Sequence, residues 1–205
     1  LSQIASANDL APFDADGDGD IDLAAAQPDR GLLMMNDGTG LLSGGNAGDF
    51  GWNSRDLFDI EPMDVDGDHD IDLAAALGAY SPRYNLIYKN NGAGSFTITD
   101  SGAFDDHRHR SNSVTALDVD SDGDMDLAVG NGGYAEEEEE RNNGLFLNDG
   151  TGRVTGGPEG HFQQKRQPTA QVMSFDSNGD ARPELAVLNW AGPSWLYRAR
   201  GGGVL

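Results

Sequence analysis

The chain has 205 residues, no cysteine, 29 glycines and a net charge of −22, from 35 acidic against 13 basic residues. That charge excludes binding to a nucleic-acid backbone, which it would repel, and no apolar run approaches the ~20 residues of a membrane-spanning helix. With no disulfide frame and glycine at about twice its usual ~7% share, the composition favours short strands and tight turns over long helices. The sequence begins at Leu1 without a methionine, basic leader or apolar leader segment, as a processed product or excised fragment would.

In chain order, the first strong signal is DADGDGDIDL at residues 14–23, running into Leu23-Ala24-Ala25-Ala26 and then LLMMNDGTGLL at 32–42. The same order returns as DVDGDHDIDL at 64–73, Leu73-Ala74-Ala75-Ala76, LIYKNNGAGSF at 86–96 and the strand-like Phe96-Thr97-Ile98-Thr99. A third copy opens on the alternating Ser113-Val114-Thr115-Ala116-Leu117. It continues with DVDSDGDMDL at 118–127, Leu127-Ala128-Val129 and GLFLNDGTGRV at 144–154. The fourth reads DSNGDARPEL at 176–185, Leu185-Ala186-Val187-Leu188 and WLYRARGGGVL at 195–205. The acidic segments start 50, 54 and 58 residues apart (64 − 14, 118 − 64, 176 − 118). Asn-Asp-Gly and Asn-Asn-Gly between apolar runs mark hairpins, because Gly and Asn tolerate positive φ. The alanine runs have helix propensity, but three or four residues are too few for a credible helix.

Each unit is therefore strand, acidic loop, strand, variable loop, strand, Gly turn, strand. Four antiparallel strands in roughly 50 residues make one propeller-type blade. The expected fold is all-β, a single propeller-like domain over 1–205 of four four-stranded blades. The blades cover about 1–49, 50–103, 104–160 and 161–205.

Alternate side chains of D-x-D-x-D-x-D-x-D can turn toward one point, and Ca²⁺ takes six to eight hard oxygen ligands. In the first copy the candidate side-chain ligands are Asp14, Asp16, Asp18 and Asp22, with Asp20 offering its backbone carbonyl. Their equivalents are Asp64, Asp66, Asp68 and Asp72 with Asp70, then Asp118, Asp120, Asp122 and Asp126 with Asp124. The fourth set is Asp176, Asn178, Asp180 and Glu184 with Arg182. A lost carboxylate and a nearby guanidinium make it the weakest. An EF-hand needs a bidentate Glu at position twelve. That position holds Ala25, Ala75, Val129 and Val187, so the carboxylate at position nine must close each site. These loops imply about four Ca²⁺, one per repeat. A merely solvated turn is the rival reading, but four carboxylates in nine residues repel one another unless a cation neutralises them. His69 replaces a glycine at position six and reads as a bend residue.

D-x-D-x-D-G-x-x-D-L flanked by strands, then N-x-G-x-G-x-F, resembles the FG-GAP/VCBS repeat of integrin-α-like β-propellers. The resemblance spans essentially the whole chain. It implies blades around an axis, with calcium in the loop joining the first two strands, and it does not imply one activity. The family usually has seven blades and this chain has four. Either four blades close compactly, through the stretch 2–7, or neighbouring subunits or a larger chain cover the edges.

Variable loops on a rigid scaffold usually carry binding. Here these are the loops between second and third strands and the linkers at about 43–55, 100–112 and 155–167. Tyr80, Tyr134 and Trp190 lie in the former, with Asn131 and Asn189 beside two of them, as a sugar site would require. The blander role for those rings is filling gaps between blades. Glu136 to Glu140 form an acidic run, and His107-Arg108-His109-Arg110 form a basic patch that would pair with it in head-to-tail assembly or locally with Asp105 and Asp106. No nucleophile elbow, zinc-protease helix or phosphate loop is present, which argues against an enzyme. The sequence thus points to an extracellular calcium-binding scaffold for adhesion or self-assembly, as a homo-oligomer or filament or with an extracellular protein or glycan. The alternatives are a lectin-like propeller and a non-catalytic module of a larger secreted enzyme.

Overall fold

The computed structural model describes residues 6–50, 56–78, 84–104, 110–132, 142–158, 160–164, 167–199, 202–203 and 205, without the side chains of 45–49, 161 and 164. Tyr80, Tyr134, Glu136 to Glu140 and His107 to His109 lie outside the described residues, as does most of the stretch 2–7.

Four antiparallel sheets follow one another along the chain. The first holds β1 (Asp9–Phe13), β2 (Asp22–Ala26), β3 (Gly31–Asn36) and β4 (Leu42–Phe50). The second holds β5 (Leu57–Met63), β6 (Asp72–Leu77), β7 (Leu86–Lys89) and β8 (Thr97–Ile98). The third holds β9 (Ser111–Leu117), β10 (Asp126–Asn131), β11 (Gly144–Asn148) and β12 (Val154–Gly156). After the one-turn α1 (His161–Gln164) comes the fourth, of β13 (Thr169–Phe175), β14 (Glu184–Asn189) and β15 (Trp195–Arg198). Strands pair in sequence order in every sheet. This is the up-and-down blade of a β-propeller.

Two expectations change. The fourth blade has three strands among the described residues, not four, because after β15 the chain turns through Gly202 and Gly203 at positive φ and buries Leu205 against the third blade. The stretch 43–50, read as part of the variable linker 43–55, is strand: the β3 ladder holds it, with Met35 opposite Ser43 and Gly31 opposite Phe50. Near the N-terminus, Asn8 donates its backbone N–H to Ala26 and its side-chain amide to Leu57, so it ties the first blade to the second.

The core lies between blades, not within them. Three apolar clusters occupy the three junctions. The alanine runs explain themselves here. The second strand of a blade is covered on both faces, and Ala24 to Ala26 and Ala74 to Ala76 are fully buried. Small side chains let the stacked sheets approach, and larger residues fill the gaps: Leu73 and Tyr88 at the first junction, Ile87 and Phe104 at the second, Phe162 at the third. Each such large apolar side chain contributes about 1.5–3 kcal/mol on burial. Close packing therefore overrides the helix propensity of alanine.

The first strands of all four blades line one cavity of about 290 Å³. Each of these strands has an open edge, and in β5, β9 and β13 side chains of the preceding blade cap its amides. Asp9 accepts from the Ile60 N–H (3.2 Å), Asp59 from Val114 (2.8 Å), Glu61 from Ala116 (3.0 Å), and Ser113 from Val172 (3.2 Å). Asp9, Asp59 and Ser113 each stand five residues before their acidic loops. Among the described residues no hydrogen bond returns from β13 to β1.

The caps crowd carboxylates. Burial, reinforced by Asp9, pushes Asp59 up to about 7. Burial also raises Glu61. A folded carboxyl raised above its unfolded value of ~3.9 keeps a proton that the unfolded chain releases, so stability falls as pH rises from about 4 to about 7. Asp59→Asn keeps an acceptor for Val114 and removes the repulsion with Asp9. The variant should melt several degrees above the parent at pH 8, with the advantage shrinking as pH falls and gone at about pH 4. A difference independent of pH would reject the assignment.

Candidate metal centres

Each acidic loop joins the first strand of a blade to the second, and backbone geometry coils it. Position four has positive φ in all four copies: Gly17 (74°), Gly67 (75°), Ser121 (67°) and Gly179 (77°). Position six does as well, in Gly19, His69, Gly123 and Ala181. The coil lets the first Asp cap its own loop. Asp14 accepts from the N–H of Gly17 (2.8 Å) and Gly19 (2.9 Å), and Asp64 from Gly67 and His69 at 2.8 and 3.0 Å. His69 is a bend residue as expected, with its ring almost fully exposed.

Carboxylate oxygens converge within 4.8 Å of one another in three loops: Asp14, Asp16 and Asp18; Asp64, Asp66 and Asp72; Asp118, Asp120 and Asp122. These groups can hold a metal ion. Asp16 and Asp120 are raised above the usual carboxylate range by burial and then by their nearest acidic neighbours, Asp18 and Asp122. In the second loop, Asp66 Oδ2 pairs with Lys89 at 2.6 Å, while Asp66 Oδ1 is buried without a hydrogen-bond partner. A buried carboxylate oxygen without a hydrogen-bond partner, on a residue of a converging acidic group, suits a hard cation, and burial without one is costly.

The position-nine residue has a second task. Asp22 accepts from Ala15 N–H (2.9 Å) and Asn36 N–H (2.7 Å). Asp72 does so from Val65 and Asn90, and Asp126 from Val119 and Asn148. Burial pushes Asp72 and Asp126 up to about 6 against the opposing pull of these bonds. Position nine thus ties the acidic loop to the turn between third and fourth strands. The position-seven side chains do not join the clusters. Asp20, Asp70 and Asp124 lie over Gly38, Gly92 and Gly150, where a Cβ would sit 2.6–2.8 Å from a carboxylate oxygen. This leaves position seven its backbone carbonyl. Asp68 accepts from the Asp70 N–H, as Asp18 does from Asp20, but lies outside the converging set of its loop.

The fourth loop differs. Asp176 accepts from Gly179 and Ala181 N–H, and Glu184 takes the Ser177 N–H at 2.9 Å. Hydrogen bonds from the loop, that of Ala181 foremost, hold Asp176 below the usual range. Asn178 turns its amide to Glu184 (3.4 Å), Asp180 accepts from Arg182 N–H, and no converging acidic group forms among the described residues.

Sequence reasoning missed the asparagines of the Gly turn as site residues. Asn90 Nδ2 donates to Ile71 O in its own loop (3.1 Å) and to Ala15 O in the preceding blade (2.8 Å). Asn148 Nδ2 does the same to Met125 O and Val65 O, at 3.2 and 2.8 Å. The first and second acidic loops are thereby clamped to the blades that follow them. The signal was visible as Asn36, Asn90 and Asn148 two residues before glycine, with Ala199 replacing it in the fourth copy.

Of the aromatic residues, Trp190 is described and is 68% exposed, not packed between blades. Asn131 is buried and bonded to Ser111 and to the carbonyl of Asn142. Asn189 donates to Gln167 and to the carbonyl of Pro193. These amides hold loops together.

Comparison with known proteins agrees with this architecture. A family model described as FG-GAP-like repeat matches residues 64–129, and one described as FG-GAP repeat matches 111–155. No curated protein matches the sequence. A solved structure of an Agrocybe aegerita lectin, described as the basis of specific recognition of non-reducing terminal N-acetylglucosamine, is similar in fold. Its TM-score is 0.63 at 16% identity, over 98% of this chain and 51% of that one. This chain therefore spans about half the length of that lectin chain. Residues 64–155 thus match FG-GAP-type repeats, and the fold of the chain is that of a β-propeller repeat module.

Proposed function

We propose that the protein is an extracellular, non-catalytic scaffold whose acidic loops bind calcium and use it to lock neighbouring blades together, in support of adhesion or assembly. The convergence of three carboxylates in each of the first three loops carries this reading, and in the second the Asp66 Oδ1 is buried without a hydrogen-bond partner. Calcium suits such flexible carboxylate sets better than magnesium, which demands near-ideal octahedral geometry. It supplies positive charge that lets adjacent ionised aspartates coexist. The chain's own part is to hold those oxygens on a coiled loop and to transmit loop order to the next blade through Asn90 and Asn148. Millimolar extracellular calcium fills even sites of ~10⁻⁴–10⁻³ M. Among the described residues no helix is long and apolar enough to cross a membrane. Calorimetric titration of metal-stripped protein should find about three calcium sites, a weaker fourth from the loop at Asp176, and much weaker response to magnesium. Absence of calcium heat, with no bound calcium by equilibrium dialysis, would remove the proposal.

Glycan recognition is the second reading, supported by the lectin similarity and the exposed Trp190. A glycan array should then give signal that Trp190→Ala reduces at least tenfold. A blank array from the unmutated protein ends that reading.

A further inference from the structure

The fourth blade presents to solvent the face that each earlier blade buries against its successor. The register makes the comparison residue by residue. In the third strand, Leu33, Ile87 and Leu145 pair with Ala24, Ala74 and Ala128, and are at most 3% exposed. Their equivalent, Leu196 opposite Ala186, is 57% exposed. Just before the acidic loop, Phe13, Met63 and Leu117 are buried, whereas Phe175 is exposed. Leu188 is 52% exposed where Ala26 and Ala76 are fully buried.

The first blade carries the matching half. Ile60, Val114 and Val172, four residues before their loops, lie in the junctions at 3% exposure. Leu10, at that position in β1, is 49% exposed. The polar devices are split in the same way. Asn36 makes the bond to its own loop, to Ile21 O at 3.2 Å, that Asn90 and Asn148 make to theirs. The second bond, to a neighbouring blade's loop, has no counterpart for Asn36 among the described residues. The equivalent residue, Ser177 in the fourth loop, is exposed. Gln171 is likewise exposed five residues before its loop, where Asp9, Asp59 and Ser113 cap the next blade's amide. The amide it would cap is that of Leu10.

We propose that the outward face of the fourth blade receives the first blade of a second copy of this chain, repeating head to tail the junction found three times within it. Leu196, Leu188, Phe175 and Met173 then cover Leu10 and its neighbours, Asn36 reaches Ser177 O, and Gln171 reaches the Leu10 N–H. Two copies joined at both ends give eight blades, at the upper end of the usual ~4–8. Two such junctions related by a two-fold axis close the ring after two subunits. This deepens the assembly part of the function proposed above.

Sedimentation velocity between about 1 and 100 μM, in millimolar calcium, tests it. The parent should shift from monomer toward dimer with concentration. Leu196→Asp and Leu10→Asp, both at exposed positions, should each weaken association at least tenfold while retaining the parental circular dichroism and melting. Asn36→Ala should weaken it less. An equimolar mixture of Leu196→Asp and Leu10→Asp should associate, because each supplies the face the other lacks. A parent that stays monomeric at 100 μM overturns the proposal. So does undiminished association of Leu10→Asp, which would mean two fourth blades meeting face to face, or a mixture that remains monomeric. Association that persists with no calcium bound would fail the calcium reading and leave this one standing.

Discussion

In excess EDTA the protein should melt about 8–16 °C below its midpoint in millimolar calcium. The size follows from linkage. A ligand at ten times its Kd stabilises the folded state by about 1.4 kcal/mol per site. Three converging loops give about 4 kcal/mol, and a domain of this size shifts by about 2–4 °C per kcal/mol. The loss should be cooperative, because every loop with a converging acidic group lies between its own blade and the next. Ala15 O and Val65 O, the acceptors for Asn90 and Asn148, each follow the first loop aspartate. Scanning calorimetry with and without chelator measures the shift, and coincident melts would refute the role given to calcium.

Asp126→Ala should be among the most damaging single changes, at about 2–6 kcal/mol by urea unfolding. Its carboxylate is fully buried and accepts from the N–H of Val119 (2.9 Å) and Asn148 (2.8 Å). Removing it leaves two buried donors unpaired at about 1–3 kcal/mol each, before any metal contribution. Asp122→Ala is the control. Asp122 is an exposed member of the converging group in the same loop, and its backbone donor is the neighbouring Asp124 N–H (3.0 Å). In EDTA its loss should cost no more than about 1 kcal/mol. In calcium the two variants should draw closer, since both deplete one site. Equal destabilisation in EDTA would show that position nine does not tie the loop to the Gly turn.

These two predictions separate what the aspartates do as ligands from what they do as hydrogen-bond acceptors, a distinction their spacing does not show. Alternation marks all five aspartates of a loop alike. Folding sorts them. Asp14, Asp16 and Asp18 converge, Asp20 turns onto Gly38, and Asp22 is consumed by two backbone amides while staying beside the group. Only in the second loop does the position-nine carboxylate, Asp72, also join the converging set. The same limit applies at the axis. Asp9, Asp59 and Glu61 look like ordinary strand-surface acids in the sequence, yet each caps an open strand edge more than 50 residues away.

Short-range order was legible because it rests on short-range chemistry. The period of the acidic segments, the Asn-Gly hairpins and the brief apolar runs each depend on a few adjacent residues. Together they determined four repeated β-units and three of the coiled carboxylate loops. What only the tertiary structure decided was how blades meet: why alanine fills the second strands, which amides receive Asp9 or Asn90, and which apolar side chains of the fourth blade remain bare. Those outcomes depend on pairings between residues far apart in the chain. The cost of an unpaired buried donor or an uncovered Leu196 arises only once the sheets stand side by side.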